Sequence, residues 1–355
     1  MAAPAKEART ASTGPVPSII EYIDRLITVE MRNPAMPYSK IAPLYEAARS
    51  EGGGDPLTFR AAEALIQKVG PGDVVLINTG AGSGELIPNG ENDGPVGAAV
   101  LARVLQRGLR ATPIYVCESF HGGPIAASSE AAGVGVRSLD VALRNHVGGA
   151  IVTTPGDAGE VAAWSEKLLD ELKPKAIVAI ERLGPNAKGV IHGSTGLATK
   201  PITDSSPLFD AAARRGILSI GIGDAGNEIG FGRIYDDVRT IQDPWGHTCQ
   251  CPCHDGMATI VPTDILIVAA VSNWGAYGIE AALSVLLKRP DLVHTPEVEE
   301  RIQLRCLEAG GIEAIFCTQN FECDGITGES HMAIVRLLGE MARIYLGEHS
   351  TGPIH

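Results

Sequence analysis

The hydrophobic positions change period along the chain. Between residues 17 and 32, Ile19, Ile20, Tyr22, Ile23, Leu26 and Ile27 form a stripe at helical spacing, and a second helix is predicted over 57–69. From Asp73 onward the pattern becomes a series of short apolar runs, DVVLINT, TPIYVCE, GAIVTT, KAIVAIE, GILSIGI and DILIVAAV, several followed by segments rich in Ala and Leu. Continuous short apolar runs suit strands buried on both faces, and their alternation with helices predicts a mostly parallel sheet. The expected fold is a three-layer, Rossmann-like α/β architecture with helices at its N-terminal side. Residues 1–15 read as a loose tail, and 16–355 as a single domain whose best internal boundary would be the Pro-rich segment at 200–207.

In such sheets ligands sit beyond the carboxyl ends of the strands, where loops and helix N-termini converge with free backbone N–H groups. Four glycine-rich loops follow predicted strands: TGAGSGELIPNGENDGPVG, ERLGPNAKG, GDAGNEIGFG and SNWGAYG. Gly221, Gly223 and Gly226 spell a GxGxxG pattern after a strand, but Asn227, Gly230 and Gly232 weaken the helix that dinucleotide binding requires at that point. The first loop has the look of a methyltransferase glycine motif, except that Pro88 and Gly90 interrupt the helix that should follow.

Composition narrows the ligand. With 355 residues, 45% apolar and 20% charged, the chain can bury a large core, and a net charge of −13 argues against a general nucleic-acid-binding surface. A small-molecule substrate is expected. No apolar h-region opens the sequence and no stretch of ~20 residues stays apolar, so no membrane partner and a cytoplasmic location are expected. The seven cysteines are an odd number, and several sit in apolar runs, which fits reduced thiols. A homo-oligomer remains open. Three of the cysteines fall in HTCQCPCHDG, residues 247–256, between two histidines. Zinc could use Cys249, Cys251 and Cys253, but the CxCxC spacing is not a zinc knuckle. Pro252 and the turn at Asp255 and Gly256 favour an irregular loop in which the sulfurs need not meet, so free thiols are the preferred expectation.

Taken in order, TGAGSGELIPNGENDGPVGA, VAIERLGPNAKG, the stretch from Asp204 through PLFDAAARR, IGIGDAGNEIGFG, IVAAVSNWGAYG and DGITGESH resemble segments of the D-glutamate cyclase family, from about residue 75 to 340. GDAGNEIGFG and SNWGAYG carry the resemblance best, while the Cys-rich insert departs from the family's pattern. The resemblance implies conversion of D-glutamate to 5-oxo-D-proline with loss of water.

That reaction needs a base for the amine, an acid for the departing oxygen, donors for the tetrahedral oxyanion and a clamp for the free carboxylate. Glu181, Asp224, Asn227 and Glu228 are the catalytic candidates, because neighbouring carboxylates raise one another's proton affinity. Thr79, Gly80, Asp93, Gly226, Ser272 and Asn273 are candidates for substrate contact, with Gly82 and Gly230 allowing close backbone approach or simply making turns. Arg182 offers a planar fork for a carboxylate, or an ion pair with a neighbouring acid. Trp274 could wall the pocket or pack in the core. His331 could shuttle a proton or cap a helix, and Asp324 beside Gly325 could act in the site or make a turn. Glu181, Asp224 and Glu228 would also suit Mg²⁺ or Mn²⁺ if their loops converge.

Overall fold

The computed structural model describes residues 15–31, 38–199 and 202–348. Most of the expected N-terminal tail and two residues of the Pro-rich segment lie outside these. Six strands form one parallel sheet: β1 (Val74–Thr79), β2 (Thr112–Cys117), β3 (Ala150–Thr153), β4 (Ala176–Ile180), β5 (Leu218–Gly223) and β6 (Ile265–Val268), in the order β3-β2-β1-β4-β5-β6. A two-stranded antiparallel ribbon, β7 (Glu322–Cys323) and β8 (Ile326–Thr327), turns at Asp324 and Gly325. Each of the six apolar runs is a strand, so the fold class is the three-layer α/β arrangement that the sequence predicts. The sixth run is shorter than expected, because the chain turns into a helix at Ser272.

Alternation along each strand sorts its side chains between two cores. Val75, Ile77, Val178, Ile180, Ile220 and Ile222 face one layer, while Val74, Leu76, Ile114, Val116, Ile177 and Ala179 face the other. The first layer contains helices α1 (Ser18–Ile27), α2 (Ile41–Glu51), α3 (Leu57–Lys68), α4 (Pro95–Val104) and α5 (Gly122–Ala131). The second contains α6 (Leu139–Asn145), α7 (Val161–Leu172) and α8 (Ser206–Arg214). Further along the chain come α9 (Tyr235–Ile241), α10 (Ser272–Leu286), α11 (Pro296–Glu308) and α12 (Gly328–Tyr345), all contributing to the first layer. Neither glycine pattern set aside above opens a helix. Turns and bends separate β1 from α4, and an irregular loop with a short 3₁₀ turn separates β5 from α9. Among the described residues no helix is long and apolar enough to cross a membrane.

Asp24 on α1 holds the N-terminal helices to one another. Its buried carboxylate accepts from the backbone N–H of Leu57 (2.6 Å) and Thr58 (3.2 Å), from the Thr58 hydroxyl and from the Tyr45 hydroxyl (2.8 Å). It thus caps α3, whose own N-cap position is a proline. On the far side of α10, His294 bridges two buried carboxylates: its Nδ1 lies 2.6 Å from Glu280 and its Nε2 3.1 Å from Glu299. Arg103 pairs with Glu280 at 3.3 Å, and Tyr277 donates to Glu299 at 2.7 Å.

Burial alone would lower the proton affinity of His294, but Glu280 and Glu299 outweigh it and hold the imidazole up to about 9 from its ordinary 6.5. Because the folded value is the higher one, the charged histidine stabilises fully below pH 6.5, and that contribution is lost as pH rises towards 9. Unfolding free energy measured by denaturant titration should fall across this window by an amount on the order of a few kcal/mol. His294→Gln should flatten the slope, and an unchanged slope in the variant would show that His294 is already neutral in the folded protein.

Candidate active site

The strand order reverses direction between β1 and β4, and the loops that leave their carboxyl ends part there. Into this crevice the chain delivers Glu181, the first residue after β4. Its φ is +42°, in the left-handed region that a side chain with a Cβ rarely adopts, so surrounding contacts must hold it there. Those contacts are a backbone zipper between the loops after β4 and β5. Glu181 N donates to Ile222 O, Ile229 N to Arg182 O (2.7 Å) and Gly184 N to Asn227 O (2.8 Å). Gly223 permits the fold-back, since a Cβ there would lie 2.8 Å from the carboxyl carbon of Glu228.

The loop after β1 meets α10 through a reciprocal exchange of caps. Asp93 accepts from the N–H groups of Ser272 (2.9 Å) and Asn273 (2.8 Å), which open α10. Asn273 returns the arrangement by accepting from Gly94 N (3.0 Å) and Gly97 N (2.6 Å), which open α4. Two helix N-termini, each lacking a cap from its own N-cap residue, are therefore satisfied across the crevice. Gly94, at φ +97°, lets the loop approach Glu181, whose Cβ would be 3.0 Å from any Cβ at that position.

These loops enclose a cleft of about 310 Å³, of a size suited to a small ligand, whose lining includes Glu91, Glu181, Asp224, Asn227 and Asp324 together with Ser194 and Thr195. Among the described residues no lysine, arginine or histidine lines it. Ser272 donates to Glu181 at 2.5 Å. Glu228, just beneath, accepts from three successive backbone amides, of Asp224 (3.1 Å), Ala225 (2.9 Å) and Gly226 (2.7 Å). Burial, reinforced by Asp224, nonetheless keeps the Glu228 carboxyl up at about 8. Burial and Asp224 likewise push Asp93 up to about 7, and burial with the surrounding carboxylates raises Glu91 and Glu181 well above the ordinary range. At neutral pH the cluster holds protons that ordinary carboxylates would have released.

Oxygens of Glu181, Asp224 and Glu228 lie within 4.8 Å of one another, as do those of Asp93, Asp224 and Asp324, so either set can hold a hard divalent cation. Among the buried polar atoms that have no hydrogen-bond partner are Oγ1 of Thr79 and Oδ1 of Asn227. Asn227 lines the cleft, and its amide nitrogen is tethered to His192 O at 2.8 Å, which leaves the unsatisfied oxygen for a bound donor. Gly80, Gly82, Gly226 and Gly230 all take positive φ, as the glycine-rich loops anticipate, and Gly82 lines the cleft.

Several expectations need correction. Arg182 is no free clamp, because every N–H of its guanidinium is engaged. Nη1 and Nη2 grip Glu118 at 2.6 and 2.7 Å and also reach Gly80 O and Thr203 O, while Nε donates to Ser205. The ion-pair alternative is the one realised, with Arg182 and His121 holding Glu118 below the ordinary carboxylate range despite its burial. Trp274 is core: fully buried, it donates through Nε1 to Nδ1 of His331 at 2.8 Å. His331 is equally buried and its Nε2 faces Cys323 O, so it is spent on packing α10, α12 and the β-ribbon and is not placed to move a proton in the cleft. Asn273 serves the loops as a cap. In the Cys-rich insert the loop is irregular, as Pro252 foretells, yet the sulfurs of Cys249, Cys251 and Cys253 converge, with His192 beside them.

Sequence reasoning overlooked Glu91, Glu118, His192, Ser194 and Thr195. The GENDG turn could have pointed to Glu91, lying two residues from Asp93 in a strand-end loop. Nothing local marks Glu118 as the partner of a residue 64 positions away.

The chain matches the family described as D-glutamate cyclase-like, C-terminal, over residues 55–339, and it belongs to that family. It is 30% identical over 203 residues to the mitochondrial D-glutamate cyclase of Homo sapiens, an alignment covering 56% of this chain and 30% of that protein. The chain therefore spans less than a third of this relative's length.

Breaking the Arg182–Glu118 pair should be a stability defect. Arg182→Met leaves the buried Glu118 without its cationic partner, with only His121 and Thr203 N against it, and should cost roughly 3–5 kcal/mol in denaturant unfolding, with little change in KM for the folded fraction. A variant of undiminished stability whose KM for a small dicarboxylate rises tenfold would restore Arg182 to the role of clamp.

Proposed function

We propose that this member of the D-glutamate cyclase-like family interconverts D-glutamate and 5-oxo-D-proline in the cleft at the carboxyl ends of β1, β4 and β5. The observation that carries the reading is the convergence of Glu181, Asp224 and Glu228 from two loops onto one small cleft, with Glu181 and Glu228 holding raised proton affinities. The relative's name and the family's description supply the substrate; the cluster supplies the acid/base chemistry that closing a lactam requires.

In the forward direction the amine attacks the γ-carboxyl carbon, a C–N bond forms, and a C–O bond breaks. The ammonium gives up two protons in all, and the departing γ-carboxylate oxygen takes up both and leaves as water. Asp224 is assigned as the base that receives a proton from the amine, and protonated Glu228 or Glu181 as the acid that delivers one to the oxygen. Asn227 and Thr79 present buried polar atoms with no partner of their own, suited to orienting the substrate. Ser194 and Thr195 offer hydroxyls from the lining of the same cleft.

Among the described residues the cleft is lined by acids and by no basic side chain, so a dicarboxylate entering it requires countercharge. As the alternative to protons on these groups, Glu181, Asp224 and Glu228 would hold a divalent cation, Mg²⁺ or Mn²⁺, which would supply the countercharge and polarise a carboxyl group in place of their proton transfers. The Cys-rich loop touches the 193–199 wall, Gln250 bonding to both Gly196 O and Thr195 O. This favours, as a second reading, the same chemistry on a different lactam or amino acid, with that wall setting the fit.

Mass spectrometry of D-glutamate, L-glutamate and both 5-oxoprolines after incubation with the protein tests the proposal. Glu228→Gln and Asp224→Asn should each reduce turnover at least tenfold, since proton transfer contributes roughly 100-fold or more, while circular dichroism stays native. Undiminished turnover in both variants would remove this loop from the mechanism.

A further inference from the structure

We infer that the Cys-rich insert and His192 form a structural zinc site with a Cys₃His donor set, which staples the cleft wall to the loop between α9 and β6. The inference does not depend on the reaction proposed above. Three observations meet in it.

The first is geometric. The three sulfurs form a triangle with edges of 3.5 Å (Cys249 to Cys251), 3.3 Å (Cys249 to Cys253) and 3.2 Å (Cys251 to Cys253). Nε2 of His192 lies 3.3 Å from the sulfur of Cys251 and 3.7 Å from that of Cys253. A zinc ion with bonds of about 2.3 Å to sulfur and about 2.0–2.1 Å to nitrogen needs tetrahedral edges of about 3.8 and 3.5 Å. Expanding the triangle by a few tenths of an ångström seats the ion, and no disulfide is formed among these thiols.

The second is the setting of the histidine. Its Nδ1 lies 3.1 Å from Val190 O, so this nitrogen carries the proton and donates to the carbonyl, leaving the Nε2 lone pair facing the sulfurs. This is the orienting bond that metal-bound histidines ordinarily make. The third is the setting of the sulfurs. Asn186 donates its amide to Cys253 at 3.4 Å, and the backbone N–H of Cys253 donates to Cys251 at 3.4 Å, which offsets the negative charge that coordinating thiolates carry. Of the histidines flanking the motif in sequence, His247 is turned to Asp243 and Thr248, and His254 is not among the donors that converge.

The site joins segments 57 residues apart in sequence, from His192 to Cys249. His192 O holds the amide of Asn227, and Gly193, Ser194 and Thr195 line the cleft immediately beyond it. The ion would act as a positioning element for that wall. Soft thiolates with one imidazole favour zinc, whereas the carboxylate cluster favours harder ions, so one chain offers two chemically distinct metal sites.

Full-length protein purified under reducing conditions from zinc-supplemented cells should contain about one zinc per chain by elemental analysis. Cys251→Ser and Cys253→Ser should lower this severalfold, whereas Glu228→Gln, in the carboxylate cluster, and Cys317→Ser, at an exposed thiol, should not. If the cysteine variants fail to fold, cobalt exchanged into the wild-type chain reads the donors directly: sulfur-to-cobalt charge transfer and intense tetrahedral ligand-field bands are expected. Alkylation of the native protein should spare Cys249, Cys251 and Cys253 until a chelator is added. Absence of zinc and of the cobalt signature, zinc that leaves with Glu228→Gln but stays in the cysteine variants, or a disulfide between two of the three cysteines would each overturn the inference.

Discussion

Like charges cannot be gathered out of water without compensation, and this constraint shapes the candidate site. Asp93, Glu181, Asp224 and Glu228 are buried, and Glu91 half-buried, around one cleft with no basic side chain on its walls among the described residues. Three kinds of compensation are visible or implied. Backbone amides and helix N-termini surround Glu228 and Asp93, protons stay on groups that would otherwise ionise, and the remaining deficit is one that a bound cation can meet. A fold that needed only stability would have replaced these acids with apolar residues, so their retention at the strand ends points to chemistry.

The architecture holds this cluster by joining loops that would otherwise be independent. The zipper between the loops after β4 and β5 places Glu181 against Glu228, at the expense of an unfavourable φ at Glu181. The exchange of caps between Asp93 and Asn273 ties the first loop to α10. Beneath both, the Arg182–Glu118 pair spans from β4 to β2 and engages Gly80 O, fixing the base of the crevice with groups that do not face the substrate. The cleft is thus preorganised by hydrogen bonds that belong to the scaffold, the condition under which precisely placed acids and bases can act without reorganising.

The fold was legible because buried parallel strands leave a local signature: DVVLINT and KAIVAIE need no distant information to be read as strands. The helix over Ile41–Glu51 left a weaker trace, its apolar stripe broken by Pro43 and by charged residues. The clustered carboxylates were visible as candidates because strand-end glycine loops are where such sheets bind ligands. Roles that depend on partners far along the chain were not. Arg182 beside Glu181 reads as a substrate clamp until Glu118 is seen against it, and Trp274 in a glycine-rich loop reads as a pocket wall until His331 is seen accepting its N–H. The cysteines failed for the same reason. Local spacing argued against convergence, and the fourth donor lies in a different loop altogether.

The most direct test of the account is a crystal structure of the protein soaked with 5-oxo-D-proline or D-glutamate. The ligand should lie in the cleft lined by Glu181, Asp224, Asn227 and Ser194, with its reacting carbonyl or γ-carboxyl within hydrogen-bonding distance of a carboxyl oxygen of the cluster. A ligand seated instead beside Glu118 and Pro155, or among His294, Arg336 and Arg343, with the acid cluster unengaged, would contradict it.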